Sequence, residues 1–190
     1  RIDPMTRNTI ALAAQLEVGE KIAEKAKELV QEGAGYEDVK QCSGLVRIAY
    51  KAAGICLDEW SDCGRDNLVQ KNGITGTNGV SYHYNLANNL NINNSVRTTN
   101  NPLIGDIVFF SNTTGPGHPL NHEGIVVAEP NAQGMVEFIH AISSGVFQHK
   151  MNILNPDNKN ENSFIGDPNR CVNTCSSGQL FSGYGTVRNQ

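Results

Sequence analysis

The chain has 190 residues, 38% of them apolar and 18% charged, enough for one domain with a filled core and short for two. Its formal net charge of −4 excludes a chain-wide electrostatic grip on nucleic acid or anionic lipid. No apolar run approaches the roughly 18 residues that a membrane-spanning helix needs.

The N-terminal stretch lacks a basic head followed by an apolar core and a small-residue cleavage site, so no signal peptide is expected. RIDP, ahead of Met5, reads as an expression-vector remnant and is set aside, leaving 5–190 as a single domain. From Thr9 to Gln31, Leu12, Leu16, Ala23, Ala26 and Val30 recur near helical spacing, which predicts one long helix, with an interruption allowed at Gly19 and a stop at the Gly-Ala-Gly of 33–35. A second helix is predicted from about Ser43 to Ala53, with Leu45, Ile48, Ala49 and Ala52 on its apolar stripe and Gly54 ending it.

Between Cys56 and Asn101 the composition changes. NLANNLNINNSVRTTNN holds too few apolar residues for a core element, and Asn competes for the backbone in turns and caps, so loops and short helices are expected. Strand signals follow at 104–111, 123–129, 135–143 and 145–150, separated by turns containing Pro130, Asn131 and Gly134. A second Asn-rich loop, 152–174, leads to a last strand within 181–187. Helices first and an antiparallel meander after them make an α+β chain, with N-terminal helices packed on an antiparallel sheet.

Five cysteines are present: Cys42, Cys56, Cys63, Cys171 and Cys175. Two bridges drawn from the last four would suit an oxidising compartment. A four-thiolate zinc site is the rival, but the spacings lack CxxC knuckles. Cys42 is different, because it stands where the second helix begins. There, unsatisfied N–H groups and the helix dipole favour the thiolate, the nucleophilic form. The alternative is a small apolar filler. Gly44 would let substrate or a neighbouring strand come close.

A catalytic cysteine needs a base. Of the histidines His83, His118, His122, His140 and His149, His122 opens the strand HEGIVV and His140 lies on the next one, in EFIHAIS. Opposed side chains on adjacent strands stand about 5 Å apart, so one imidazole can orient the other. His118 and His122 would be a metal pair only on a continuous helix, which Pro116 and Pro119 prevent; no metal and no cofactor is expected. Ser43 and Ser144 lack the G-x-S-x-G elbow of a serine hydrolase.

With these residues in view, the chain resembles the NlpC-type cell-wall peptidases, a papain-like family of cysteine hydrolases. QCSGLVRIAYKAAGI resembles the family's nucleophile helix, NPLIGDIVFF its Pro-Gly-Asp-hydrophobic strand, NHEGIVV its His-x-Gly-Ile strand, and FIHA the strand bearing its third polar residue. The resemblance implies a papain-like fold over a single catalytic domain, with Cys42 as nucleophile, His122 as general base and His140 as orienting residue. It also implies Tyr36, Gln41 and Ser43 on the substrate side, Tyr36 being a candidate oxyanion donor by its place upstream. The implied substrates are peptidoglycan stem peptides, most often at the bond between D-γ-glutamate and diaminopimelate. Gln41 stands where the family usually has Asp, which favours cleavage within intact stem peptides over dipeptidyl-type specificity. A small amidase without a leader resembles secreted antibacterial effectors, acting in the periplasm or outside the cell and paired with a cognate immunity protein. Acyl transfer or deamidation on the same scaffold, and a non-catalytic binding module, are the alternatives. The inserts at 85–101 and 152–174 are expected either to wall the cleft or to lie as solvated loops.

Overall fold

A computed structural model describes residues 3–57, 61, 96–99, 101–171 and 175–187. The first helix, α1 (Pro4–Gln31), starts five residues earlier than its apolar periodicity announces. The Asp3 carboxylate accepts hydrogen bonds from the backbone N–H groups of Met5 and Thr6, both at 3.0 Å. Pro4 takes the first helical position, where a missing N–H costs nothing. The stretch set aside as a remnant therefore holds the cap. α1 also runs unbroken through Gly19, which lies against Gly105 so closely that a Cβ on Gly105 would fall 2.5 Å from the Gly19 Cα.

The second helix, α2 (Gln41–Ala52), buries Leu45, Val46, Ala49 and Tyr50. Its buried stripe is turned slightly from the expected one: Ile48 is only half-buried and Ala52 is exposed. The wholly buried Tyr50 hydroxyl donates to the Gly105 carbonyl at 2.7 Å. Burial, and then the charge of Asp106, hold its pKa well above the ordinary 10. Tyr50→Phe orphans that carbonyl and should cost about 1–2 kcal/mol. The check is a lower denaturant midpoint at unchanged slope; an unmoved midpoint would mean the bond adds nothing.

Among the described residues, six strands form one sheet in the order β1-β6-β2-β3-β4-β5, every neighbouring pair antiparallel. They are β1 (Val96–Thr99), β2 (Ile107–Phe110), β3 (His122–Ala128), β4 (Met135–Ile142), β5 (Gly145–Asn152) and β6 (Phe181–Val187), with the short helix α3 (Ser177–Leu180) just before β6. β1 is a correction, since the Asn-rich stretch is expected to hold only loops and short helices. It pairs with β6 from Val96↔Val187 to Thr99↔Tyr184. A ladder at the sheet's edge draws on backbone groups alone and leaves no apolar run to read. The remainder of that stretch, 58–60, 62–95 and 100, lies outside the described residues.

Alternation along the strands splits the core in two. Ile107, Phe109, Ile125, Val127, Ile139 and Ala141 pack under α1 and α2. Val108, Phe110, Val126, Phe138 and Met151, with Tyr184 of β6 beside them, pack against Ile165 and Leu180 from the segment after β5. Both faces are covered, which is why IVFF and GIVVA read as continuous apolar runs rather than alternating ones. This is the α+β arrangement expected from the sequence.

The described part of the second insert, 152–171, covers the C-terminal end of the free edge of β5. Lys150 N–H donates to Ser163 Oγ (3.1 Å), Ser163 N–H to the Lys150 carbonyl (3.0 Å), and Asn152 N–H to Asn162 Oδ1 (2.8 Å). This part of the edge is thereby withheld from pairing with another chain. Asn162 also donates to the carbonyls of Asn155 and Asn158, so the local excess of Asn serves to pin turns. Cys171 and Cys175 are joined by a disulfide, Cys56 is disulfide-bonded as well, and Cys42 is in no bridge. Cys63 and residues 172–174 lie outside the described residues. Among the described residues no helix is long and apolar enough to cross a membrane.

Candidate active site

Cys42 sits one residue inside the start of α2 and is 4% exposed. The chain enters the helix through two left-handed residues, Lys40 (φ 56°) and Gln41 (φ 72°). Side chains at such angles are strained, and strain of this kind collects where geometry matters to function. A turn braces it: Gly35 N–H donates to Asp38 Oδ2 (2.8 Å) and Gln41 N–H to the Tyr36 carbonyl (2.9 Å). Lys40, at the cap position, makes no side-chain cap bond; its ammonium has no acceptor to offer the first N–H groups of the helix.

Gly44 has a different role from the one its spacing suggests. A Cβ there would collide with the Val39 carbonyl and fall 3.0 Å from the Lys40 Cβ. The chain's own preceding turn, rather than substrate or a strand, occupies the space. Ser43 is buried, Gln41 is exposed, and Tyr36 is half-buried. Burial, and after it the charges of Cys42 and Glu37, push the Tyr36 pKa up to about 12. The phenol therefore stays protonated, within electrostatic reach of the thiol.

On the sheet, His122 is the first residue of β3 and lies opposite Phe110. The register Ile125↔Ile139 and Val126↔Phe138 puts His140 over Gly124, diagonal to His122 rather than directly across from it. Gly124 is what makes the diagonal passable: a Cβ there would fall 2.6 Å from the Ile139 carbonyl and 3.1 Å from the His140 Cβ. The His140 ring leans over that gap, and its Nδ1 lies 2.7 Å from His122 Nε2.

The row does not stop there. His140 Nε2 lies 2.7 Å from Nδ1 of His149, on β5. His149 is absent from the sequence-derived site, although the signal is present. The two-residue turn Ser143–Ser144 pairs Ile142 with Gly145 and hence His140 with Phe147. That register sends His149 to the same face as His140, on the diagonal.

His140 is completely buried, between Phe138 and the other two imidazoles. Burial first, then His122 and His149, hold its pKa well below 6.5; burial alone lowers that of His149. His140 is neutral at pH 7. The unfolded chain then binds this proton more tightly than the folded one. Stability is full above about pH 6.5 and falls as pH drops below it, by up to about 1.4 kcal/mol per pH unit for this group. A melting temperature that falls between pH 7.5 and 5.5 in the wild type, and falls less in His140→Gln, is the expected result. Parallel curves for the two proteins would contradict a neutral buried ring.

Two contacts fix how helix and sheet are aligned. Tyr50, in the last turns of α2, bonds to Gly105 ahead of β2. Ala34, ahead of α2, accepts from the Val146 N–H just past the β4–β5 turn. The strand register brings His122 to that same end of the sheet, beside Ile142. Cys42, eight residues or about 12 Å before Tyr50 along the helix, is thereby carried to the end at which β3 begins with His122.

The family model described as NlpC/P60 matches residues 32–159, a span that contains Cys42, all three linked histidines, and every strand but β6. No curated protein and no solved structure matches the chain. The match covers about two thirds of the sequence, and its elements follow the order in which the nucleophile helix and the two histidine strands were read: the chain belongs to the NlpC/P60 family of cell-wall cysteine peptidases.

Proposed function

We propose that the protein hydrolyses amide bonds in peptidoglycan stem peptides, with Cys42 as nucleophile, His122 as general base and His140 as the residue that orients it. The observation that carries this reading is the 2.7 Å contact between His122 Nε2 and His140 Nδ1, at the end of the sheet where α2 begins. With Nε2 engaged by His140, the remaining nitrogen of His122, Nδ1, is the one able to take the thiol proton. The thiolate attacks the amide carbonyl, the tetrahedral intermediate expels the amine as His122 returns the proton, and water then hydrolyses the acyl-enzyme. The Cys42 backbone N–H at the helix start can hold the oxyanion. Tyr36 suits the second donor, because its hydroxyl remains protonated across the working pH range.

The favoured scissile bond lies between D-γ-glutamate and diaminopimelate within an intact stem. An exposed Gln41 offers no negative charge to a free substrate amine, which supports that choice. The Cys171–Cys175 disulfide supports a secreted or periplasmic site of action. Delivery as an antibacterial effector with a cognate immunity protein is part of the same proposal. Mass spectrometry of peptidoglycan fragments, after incubation with wild type and with Cys42→Ala, tests it. New amine and carboxyl ends from the wild type alone are expected and would name the bond. Intact peptides with both proteins, despite a reactive Cys42 thiol, would point to a different acyl substrate.

A further inference from the structure

The mechanism above uses two imidazoles, yet the structure links three. In a row of neutral rings each carries one N–H, so the two contacts at 2.7 Å can be satisfied in only two ways. In the outward arrangement His122 Nε2–H donates to His140 Nδ1, and His140 Nε2–H donates to His149 Nδ1. In the inward arrangement every proton sits on Nδ1, so His122 turns an N–H toward the thiol and cannot accept its proton.

We propose that His149 is a positioning residue: by offering Nδ1 as the acceptor for the buried His140 Nε2–H, it makes available to His140, and through it to His122, the outward arrangement that leaves His122 Nδ1 open as the base. This inference rests on the Cys42–His122 reading. His140 is 0% exposed, so its Nε2–H must have an acceptor within the protein. Without His149 the cheaper state of His140 moves its proton to Nδ1, where it donates to His122 Nε2 and drives the His122 proton onto Nδ1. When the thiol ionises, the S–H bond breaks, an N–H bond forms at His122 Nδ1, and the imidazolium polarises both outward hydrogen bonds.

The surroundings of His149 fit an aligned acceptor. Its ring stacks on Phe147, with centroids 5.9 Å apart and planes 8° from parallel, and meets the Phe138 ring edge-on at 6.5 Å. From β4 the titratable group that faces it is His140. Glu137 and Lys150 belong to the opposite face of the sheet by the strand alternation. From the insert, Asp157 accepts from Gln179 and Glu161 from Asn155, while Lys159 lines the hollow beside Lys150 and Phe164.

The test compares the full chain as wild type, His149→Ala and His149→Gln. Imidazole 15N NMR reads the tautomers, and the rate of Cys42 alkylation by iodoacetamide against pH reads the thiolate. The expected wild-type spectrum has His122 protonated at Nε2. In His149→Ala, His122 should shift to the Nδ1–H form and alkylation at pH 6 should slow about tenfold. His149→Gln should restore most of both, because its side-chain oxygen can accept from His140. Wild-type tautomers in a folded His149→Ala would overturn the proposal, as would a folded His149→Gln no better than Ala. A wild-type Cys42 with an ordinary thiol profile would defeat the catalytic reading instead, and a His149-dependent tautomer at His122 would survive it.

Discussion

Cys42→Ala, His122→Ala and the double variant are expected to lose hydrolysis of stem peptides to the same extent, about 10⁴–10⁶-fold in kcat/KM, with no further loss on combining them. Nucleophile and base act as one unit: a thiol with no acceptor for its proton is a weak nucleophile at neutral pH, and a base with no thiol has nothing to activate. The residual activity of each variant is what the oxyanion donors and substrate binding supply unaided. Because Cys42 is small and at the helix start, and His122 is at a strand's first residue, neither substitution should remove the cooperative melt. Kinetics on a purified stem peptide, beside thermal unfolding of the same preparations, gives the comparison. Multiplying losses in the double variant would show the two residues acting separately, and the proposed pairing would be wrong.

Gly124→Ala is the second large effect, and it reads the fold and the site together. The added Cβ would stand 2.6 Å from the Ile139 carbonyl, a backbone atom with no rotamer through which to retreat. Relief requires β3 and β4 to part, at a cost of about 2–4 kcal/mol. It also displaces His140, whose Cβ is the next neighbour at 3.1 Å, and lengthens the contact to His122. We expect a lowered melting temperature together with a fall in kcat of about a hundredfold at little change in KM, since a misplaced base harms the chemical step. Full activity in a destabilised Gly124→Ala would show that the strand spacing does not control the histidine pair.

The same glycine shows what is readable before folding. In NHEGIVV the His-x-Gly spacing is visible, but its meaning depends on which β4 residue faces Gly124, and that is a property of the register. Adjacent-strand spacing predicts His140 across from His122, whereas pairing places it on the diagonal over Gly124. The pair survived the error because diagonal neighbours remain within reach of long or aromatic side chains. His149 was missed for the same reason in reverse. It looks like one more polar residue on an edge strand until the tight turn after Ile142 fixes its partner.

Other differences have local causes. Helix α1 begins at Pro4 because an Asp–Pro cap outweighs the lack of apolar periodicity there. Strand β1 rests on backbone pairing with β6, which composition does not record. Gly44 looked like an opening for substrate, and is filled by the turn that aims Cys42.

By itself the sequence determined the things that depend on local chemistry and periodicity. Those are the helix that presents Cys42, four consecutive β-rich runs, the residue types of a cysteine hydrolase and the family they belong to. Only the tertiary structure decided the things that depend on which strands meet and in what register. It set the helix start against the His122 end of the sheet, ran the Asn-rich insert along the edge of β5, and lined up three imidazoles rather than two. The reason is physical: propensity and patterning act over a few residues, whereas an imidazole row across β3, β4 and β5 is built by backbone pairing between segments up to 27 residues apart.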